Sequence, residues 1–531
     1  MKNQMMVIGL DGGTFTIIDP LIEKGELPNL AFLKKNGYCA ELESTKPPLT
    51  SPAWPSFMTG VNPGKHGLYG FGRFKPDYTE VPFSMNDLKR RSIFSILTSN
   101  GLRCVVINVP MTYPPEEVDG IMVSGYGAPG EDSNFTLPIE IKNELQKEKY
   151  SILGLPSNFQ FSDEKAEEYF SHVYESEKKR HRLAKRLLKR VDWDFFMIVY
   201  GGTDSISHYF WKYYDKGHPM YEERYQHLGS KIGDIYGLAD SFIGELRSEY
   251  PKTKIMIMSD HGFGRIERYF YPNTYFKNEG LLALGRSTAP KTARGFLRSK
   301  GFTGMNIKRI LNKLHLSWLI KMLPMKLKKK IPYTVHPSLL DLDYSKTKFF
   351  SIGDMGQIFV NRKDYFERGI VEGKDVAKEC LKIKEKLLSI EFEGKKIIDR
   401  VYLKEEIYSG EHLSYFPDIL FETSDSSFEV LRAISEEDIF GLPIRKNGTH
   451  RKEGIFFFYD PSGNSTLNEG YKKATILDIC PTILDIYGIP IRDYMDGRSL
   501  LKTEARDFKA ADERSKISKI LDEGRFDLKK L

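Results

Sequence analysis

The chain is punctuated by short, unbroken apolar runs that stop abruptly at a carboxylate, a proline or a glycine. Met5-Met6-Val7-Ile8-Gly9-Leu10 runs into Asp11-Gly12-Gly13, and residues 104–109 run into Pro110. Residues 195–200 run into Gly201-Gly202, and Lys254-Ile255-Met256-Ile257-Met258 into Ser259-Asp260-His261. About six apolar residues without polar alternation make a strand covered on both faces, the strand of a parallel sheet flanked by helices. Further strands are expected over 39–42, 356–361, 400–403 and 455–458, with helices from Pro28 and over 475–487. The expected class is therefore α/β: a mixed, mostly parallel sheet sandwiched by helices. Such sheets bind ligands at the carboxyl ends of their strands, so the residues just past each run are where chemistry is sought.

Those residues form a pattern. Asp11 follows the first run, where an Asx turn suits it equally well. Asp204 and His208 follow the third and are four apart, so on a helix they share a face and can hold one metal ion between them. Asp260-His261-Gly262 follows the fourth, and His450 lies in 447–451, read as a turn ahead of strand 455–458. One other stretch stands out. Pro47 and Pro48 hold the chain extended, and Thr50 falls where it turns into a short helix with Pro52 in the first turn. A hydroxyl there meets free N–H groups at the positive end of a helix dipole, a favourable place for a phosphoryl group. Capping by Thr50 or Ser51 is the plainer reading of that stretch alone. Taken together, three carboxylates, three imidazoles and a hydroxyl make mixed N/O sites suited to Zn²⁺ and permissive for Mn²⁺. They suffice for two ions, which would stabilise both oxygens of an in-line displacement at phosphorus.

With 531 residues, 40% hydrophobic and 13% aromatic, the chain can bury a sizeable core. Cys39, Cys104, Cys380 and Cys480 are far apart and read as reduced, buried thiols. No run approaches the roughly 20 apolar residues of a membrane span, and the first run is too short for a secretory leader. A cytoplasmic location is expected. The net charge of +7 is local: 291–330 holds twelve Lys/Arg and no Asp/Glu, which leaves the rest at −5. That distribution argues against specific nucleic-acid binding. Within it, Ile307, Ile310, Leu311, Leu314 and Leu319 fall at helical spacing, an amphipathic basic helix that suits an anionic membrane surface or a solvated lid equally. The expected organisation is a catalytic domain over 1–285 and 346–505, with a helical stretch at 130–190 in which no chemistry is recognised. A basic insertion or cap covers 286–345, and a charged tail 506–531.

With these pieces in hand, the sequence resembles the alkaline phosphatase superfamily, specifically its type I phosphodiesterase/nucleotide pyrophosphatase branch. The matching pieces are Asp11-Gly12, Thr50 with Thr59-Gly60 and Pro63 to Gly67, Asp204 to His208, Asp260-His261-Gly262 and Gly448-Thr449-His450, in the family's order. The resemblance implies one ion on Asp204, His208 and His450 and another on Asp11, Asp260, His261 and the Thr50 oxygen. It implies Thr50 as a nucleophile that carries a phospho-threonine intermediate, and a phosphate ester or nucleotide-like small molecule as substrate. There is one departure: an asparagine that contacts a phosphoryl oxygen in the diesterases is Phe71 here, so Asn108 or Arg73 is expected to stand in as donor. Trp54, Phe57, Tyr69 and Phe71 supply rings near Thr50, against Lys46, Lys65 and Arg73 as nearby cations. That balance favours diester or pyrophosphate bonds, whose second substituent is organic. A phosphomonoesterase or phosphomutase on the same metal core is the alternative enzyme. A metal-stabilised scaffold at a membrane surface is the alternative outside catalysis.

Overall fold

The computed structural model describes residues 3–156, 159–285, 339–353, 355–435, 438–463, 467 and 473–502. The amphipathic basic helix and the charged tail expected from the sequence lie outside the described residues.

The apolar runs become the centre of the molecule. In chain order the strands are β1 (Met5–Leu10), β2 (Tyr38–Glu43), β3 (Cys104–Val109), β4 (Gly120–Ser124), β5 (Thr136–Leu137), β6 (Phe195–Tyr200), β7 (Lys254–Met258), β8 (Gly262–Arg265), β9 (Gly448–Arg451), β10 (Glu453–Tyr459) and β11 (Ala474–Thr475). The helices used below are α1 (Pro28–Asn36), α2 (Thr50–Thr59), α3 (Ala166–Arg190), α4 (Gly202–Tyr214), α5 (Lys231–Glu249) and α6 (Ile479–Ile486). Nine strands form one sheet in the order β11-β2-β10-β7-β1-β6-β3-β4-β5. It is mixed and mostly parallel, flanked by helices.

Register explains why the run ends matter. β1 pairs in parallel with both β6 and β7, with Leu10 opposite Tyr200 and Gly9 opposite Met258. β3 lies parallel to β6, with Ile107 opposite Ile198. Asp11, Gly201 and Asp260 therefore leave the sheet along one edge, and Asn108 sits at the irregularity near the same end of β3. Every residue of β1, β3 and β6 is buried, because alternate side chains enter two different cores. Met6, Ile8 and Leu10 face α3, α4 and α5, while Met5 and Val7 face Trp54 and Phe57 of α2 and Ile483 of α6. Each such aliphatic side chain contributes about 1.5–3 kcal/mol by leaving water. A smaller lobe carries its own four-stranded sheet, Phe349–Gly353, Gln357–Val360, Ile398–Leu403 and Ile419–Thr423, around a third core that includes Tyr69 and Phe416.

Several expectations need correction. Residues 447–451 do not form a turn: β9 is a strand antiparallel to β8, with His450 opposite Phe263. Gly448 makes this possible, since a Cβ there would lie 2.3 Å from the Ser207 carbonyl of α4. The helix expected at 475–487 opens with a 3₁₀ turn, Ile476–Asp478, and is α-helical only from Ile479. The stretch 130–190 includes strand β5 and a separate helix, Glu140–Lys147, before α3. All four cysteines are free thiols, but Cys39 is only partly buried. Among the described residues, no helix is long and apolar enough to cross a membrane.

Candidate active site

The strand ends converge with α2, α4 and β9 on one buried cluster. Thr50 is the first residue of α2, after an extended Leu49, and is 8% exposed. Its Oγ1 lies 3.4 Å from His261 Nε2. The same nitrogen is 3.3 Å from Asp260 Oδ2 and 3.7 Å from Asp11 Oδ1. Asp204 and His208 share a face of α4, as four-residue spacing demands. Asp204 Oδ1 is 3.3 Å from His208 Nε2 and 3.4 Å from His450 Nε2, and these two nitrogens are 3.2 Å apart. Gly12 permits the close approach. It has φ +65°, and a Cβ there would meet the Phe263 ring at 2.9 Å and Asp204 at 3.4 Å.

The hydrogen bonds behind the cluster fix its protonation. His208 Nδ1 donates to the Gly448 carbonyl, His450 Nδ1 to the Pro48 carbonyl and His261 Nδ1 to the Gly262 carbonyl. Each imidazole is thereby held with its Nε2 lone pair toward the cluster, the usual arrangement behind a metal-ligating histidine. Facing those lone pairs, Asp11 Oδ1, Asp204 Oδ1 and Asp260 Oδ2 are buried without hydrogen-bond partners among the described residues. Acceptors facing acceptors is an arrangement that a bound cation satisfies. Two sets of ligand atoms, from Asp11, Asp260 and His261 and from Asp204, His261 and His450, each lie within 4.8 Å of one another. Their N/O chemistry fits two divalent ions.

Electrostatics agree. Burial, then the charges of Asp260 and Asp204, holds the Asp11 carboxyl well above its usual range. Burial pushes Asp260 up to about 7. Burial would raise Asp204 too, but the imidazoles of His208, His450 and His261 outweigh it and hold that carboxyl low. Burial drives His208 down to about 3 and His261 well below the normal imidazole value. Burial thus favours the neutral, ligating form of His208 and His261.

Beside the cluster opens a cavity of about 640 Å³, lined by Asp11, Thr50, Asp204, His208 and His450 among others. The cavity contains only part of what the sequence suggested for substrate contact. Phe71 lines it, edge-on to Tyr126 at 5.4 Å. Asn108 lines it too: its Nδ2 donates one N–H to the Val199 carbonyl at 2.8 Å, and its Oδ1 is buried with no partner among the described residues. Arg73 is not among the lining residues; its guanidinium sits 5.4 Å over the Tyr415 ring. Trp54, Phe57 and Tyr69 are fully buried core residues. Lys46 pairs with Glu43 and Lys65 with Asp496.

Other residues line the cavity without having been singled out in the sequence. Tyr169, Glu177 and Arg180 of α3 form one wall, in the stretch where no chemistry was recognised. Lys446 brings its Nζ within 3.2 Å of His208 Nε2. Asn447, 1% exposed, ties α4 to β9: its N–H donates to the His208 carbonyl, its Nδ2 to the Tyr209 carbonyl, and its Oδ1 accepts from Lys212 N. The one available signal was the proximity of Lys446 and Asn447 to Gly448-Thr449-His450 in sequence.

Comparison with known proteins shows a family and a fold. Residues 5–455 match the family model described as type I phosphodiesterase / nucleotide pyrophosphatase. Phosphonoacetate hydrolase from Sinorhizobium meliloti 1021, solved with phosphonoformate and with phosphonoacetate, aligns with TM-scores of 0.53 and 0.51. Both alignments have 16% identity and cover 90% of this chain and 94% of the other, a likeness of fold. Murine ectonucleotide pyrophosphatase / phosphodiesterase 5, an inactive variant in complex with AMP, aligns at 13% identity over 94% of this chain and 100% of its own, with a TM-score of 0.49. No curated protein matches the chain by sequence. The chain belongs to the type I phosphodiesterase / nucleotide pyrophosphatase family.

Proposed function

We propose that this family member hydrolyses phosphate diester or pyrophosphate-type bonds through a covalent phospho-threonine on Thr50. The observation that carries the reading is the trio of buried, unpartnered carboxylate oxygens facing three Nε2 lone pairs beside a hydroxyl at a helix N-terminus. Asp204, His208 and His450 would hold one divalent ion; Asp11, Asp260, His261 and the Thr50 oxygen would hold the other. Zn²⁺ suits these donors best and Mn²⁺ is accepted. When bound, the ions lower the pKa of the Thr50 hydroxyl and offset charge on the phosphoryl oxygens.

The chain's own part follows from its geometry. Thr50 Oγ1 gives its proton to solvent and attacks phosphorus, its new O–P bond forming as the bond to the leaving oxygen breaks, and that oxygen takes a proton from solvent. A water then attacks the same phosphorus, the Thr50 O–P bond breaks, and one proton of that water restores the Thr50 hydroxyl. Free N–H groups in the first turn of α2 donate to a phosphoryl oxygen. Phe71 and Tyr126 offer a ring wall to an organic substituent.

The test is turnover of bis(p-nitrophenyl) phosphate by the Zn²⁺-loaded protein and by Thr50→Ala. The variant should keep its fold and metal but lose about 10³-fold or more in kcat, several kcal/mol of barrier. Near-full activity in Thr50→Ala would identify the wrong hydroxyl, with Ser51 next in sequence. One observation favours a second reading: Lys446 beside His208 and Arg432 in the cavity wall are cations that the extra charged oxygen of a monoester would need. A preference above about tenfold for p-nitrophenyl phosphate over a p-nitrophenyl nucleotide diester, about 1.4 kcal/mol, would decide for the phosphatase or mutase.

A further inference from the structure

Two buried acceptors in the cavity wall have no part in the chemistry above. Glu177 on α3 is 4% exposed; its Oε1 accepts from the Arg180 guanidinium at 2.5 Å, while Oε2 has no hydrogen-bond partner among the described residues. Asn108 is 5% exposed, and its Oδ1 is likewise unpartnered. Both residues line the cavity that contains Thr50 and Asp204. They also flank a single turn between β6 and α4. Asn108 is bonded to Val199, and Glu177 packs so closely on Gly202 that a Cβ there would meet its Cγ at 3.0 Å. An orphaned buried acceptor costs stability and is explained where a ligand brings the missing donor.

The surroundings restrict that ligand. Arg180 neutralises Glu177, and its Nη2 and Nε donate to the carbonyls of Ile152 and Ser151 and to Tyr150 Oη. The pair has no net charge to attract a cation, and its one atom without a partner among the described residues is an acceptor, Glu177 Oε2. Nearby in the same wall, Tyr169 and Tyr209 lie with ring centroids 5.1 Å apart. A wall that combines aromatic rings with fixed acceptors matches a group with apolar C–H faces and hydroxyl edges.

We propose that this part of the cleft binds a hydroxyl-rich substituent, a polyol or sugar-like ring, carried by the phosphate ester, with Glu177 Oε2 and Asn108 Oδ1 accepting from its hydroxyls. The inference rests on the phosphoester reading, since it is the group attached to phosphorus that must reach this wall. Calorimetric binding of two monoesters to the full-length, Zn²⁺-loaded protein tests it: myo-inositol 1-phosphate and cyclohexyl phosphate, the same carbocycle with and without hydroxyls. The wild type should bind the inositol ester at least about tenfold more tightly. Glu177→Met/Arg180→Met, which replaces a buried ion pair by apolar groups of similar volume, should bring the two within about threefold and leave inorganic phosphate binding unchanged. Glu177→Gln serves if that pair of changes does not fold. Its amide must keep the oxygen on donor-only Arg180, so an N–H₂ replaces the free acceptor, and the preference should fall at least threefold. Equal affinities in the wild type, or a preference that survives in either folded variant, overturns the proposal. Failure of the phosphoester reading shows separately, as absent turnover of bis(p-nitrophenyl) phosphate.

Discussion

Replacing Asp260 with asparagine should change stability in opposite directions with and without metal. In the metal-free protein at pH 8, Asp260 Oδ2 is buried and unpartnered, 3.3 Å from a nitrogen lone pair on His261. The asparagine keeps an oxygen for the Gly12 N–H, now 3.2 Å from Oδ1, and puts an N–H₂ where Oδ2 stood, within reach of His261 Nε2. Removing one orphaned buried acceptor is worth about 1–3 kcal/mol. Unfolding entropy of about 2 cal/mol/K per residue makes 1 kcal/mol roughly 1 °C for a chain of this size, so Tm in EDTA should rise by about 1–3 °C. With Zn²⁺ the order reverses. Loss of a direct ligand that weakens the site about 1,000-fold forfeits about 4.1 kcal/mol of ligand stabilisation at saturating metal, more than the metal-free gain, and the variant should melt below the wild type. Scanning calorimetry of both proteins in EDTA and in Zn²⁺ reads all four values. A variant less stable in both buffers refutes the reasoning, because the carboxylates would then be a satisfied structural network and not a site waiting for a cation.

Other consequences follow from residues around the site. His66 is fully buried and burial lowers it to about 3 from 6.5; the folded state therefore refuses a proton the unfolded chain accepts. Its contribution is complete above pH 6.5 and falls as pH drops toward 3, by about 2 kcal/mol at pH 5. Urea midpoints at pH 7.5 and 5.0 in EDTA should show His66→Gln losing less than the wild type, and equal losses would contradict this. Asn447→Ala removes both side-chain bonds that hold α4 to β9. Zn²⁺ affinity, measured by chelator competition, should fall about 10–100-fold and Tm in EDTA should fall as well. An unchanged metal Kd would leave Asn447 a purely structural residue.

What could be read in the sequence was whatever depends on short-range periodicity. Unbroken apolar runs place β1, β3, β6 and β7 because a strand buried on both faces needs no polar alternation. The residues after them reach one sheet edge because parallel register aligns run ends, and Asp204 and His208 share a helix face because of the pitch of α4. Partner choice over long distances was not legible. His450 is delivered by a strand, since only the packed fold shows Gly448 pressed against the Ser207 carbonyl. Arg73, three residues past Gly70 and near the nucleophile in sequence, turns to Tyr415, while Glu177 and Arg180, in a stretch where the sequence shows no recognisable chemistry, line the cavity wall. Sequence by itself determined the sheet, the ligand types and the hydroxyl at the helix start, because each follows from neighbours within a turn or a strand. Tertiary structure alone decided which lone pairs face which carboxylates and what lines the cleft, because those depend on side chains hundreds of residues apart being desolvated together.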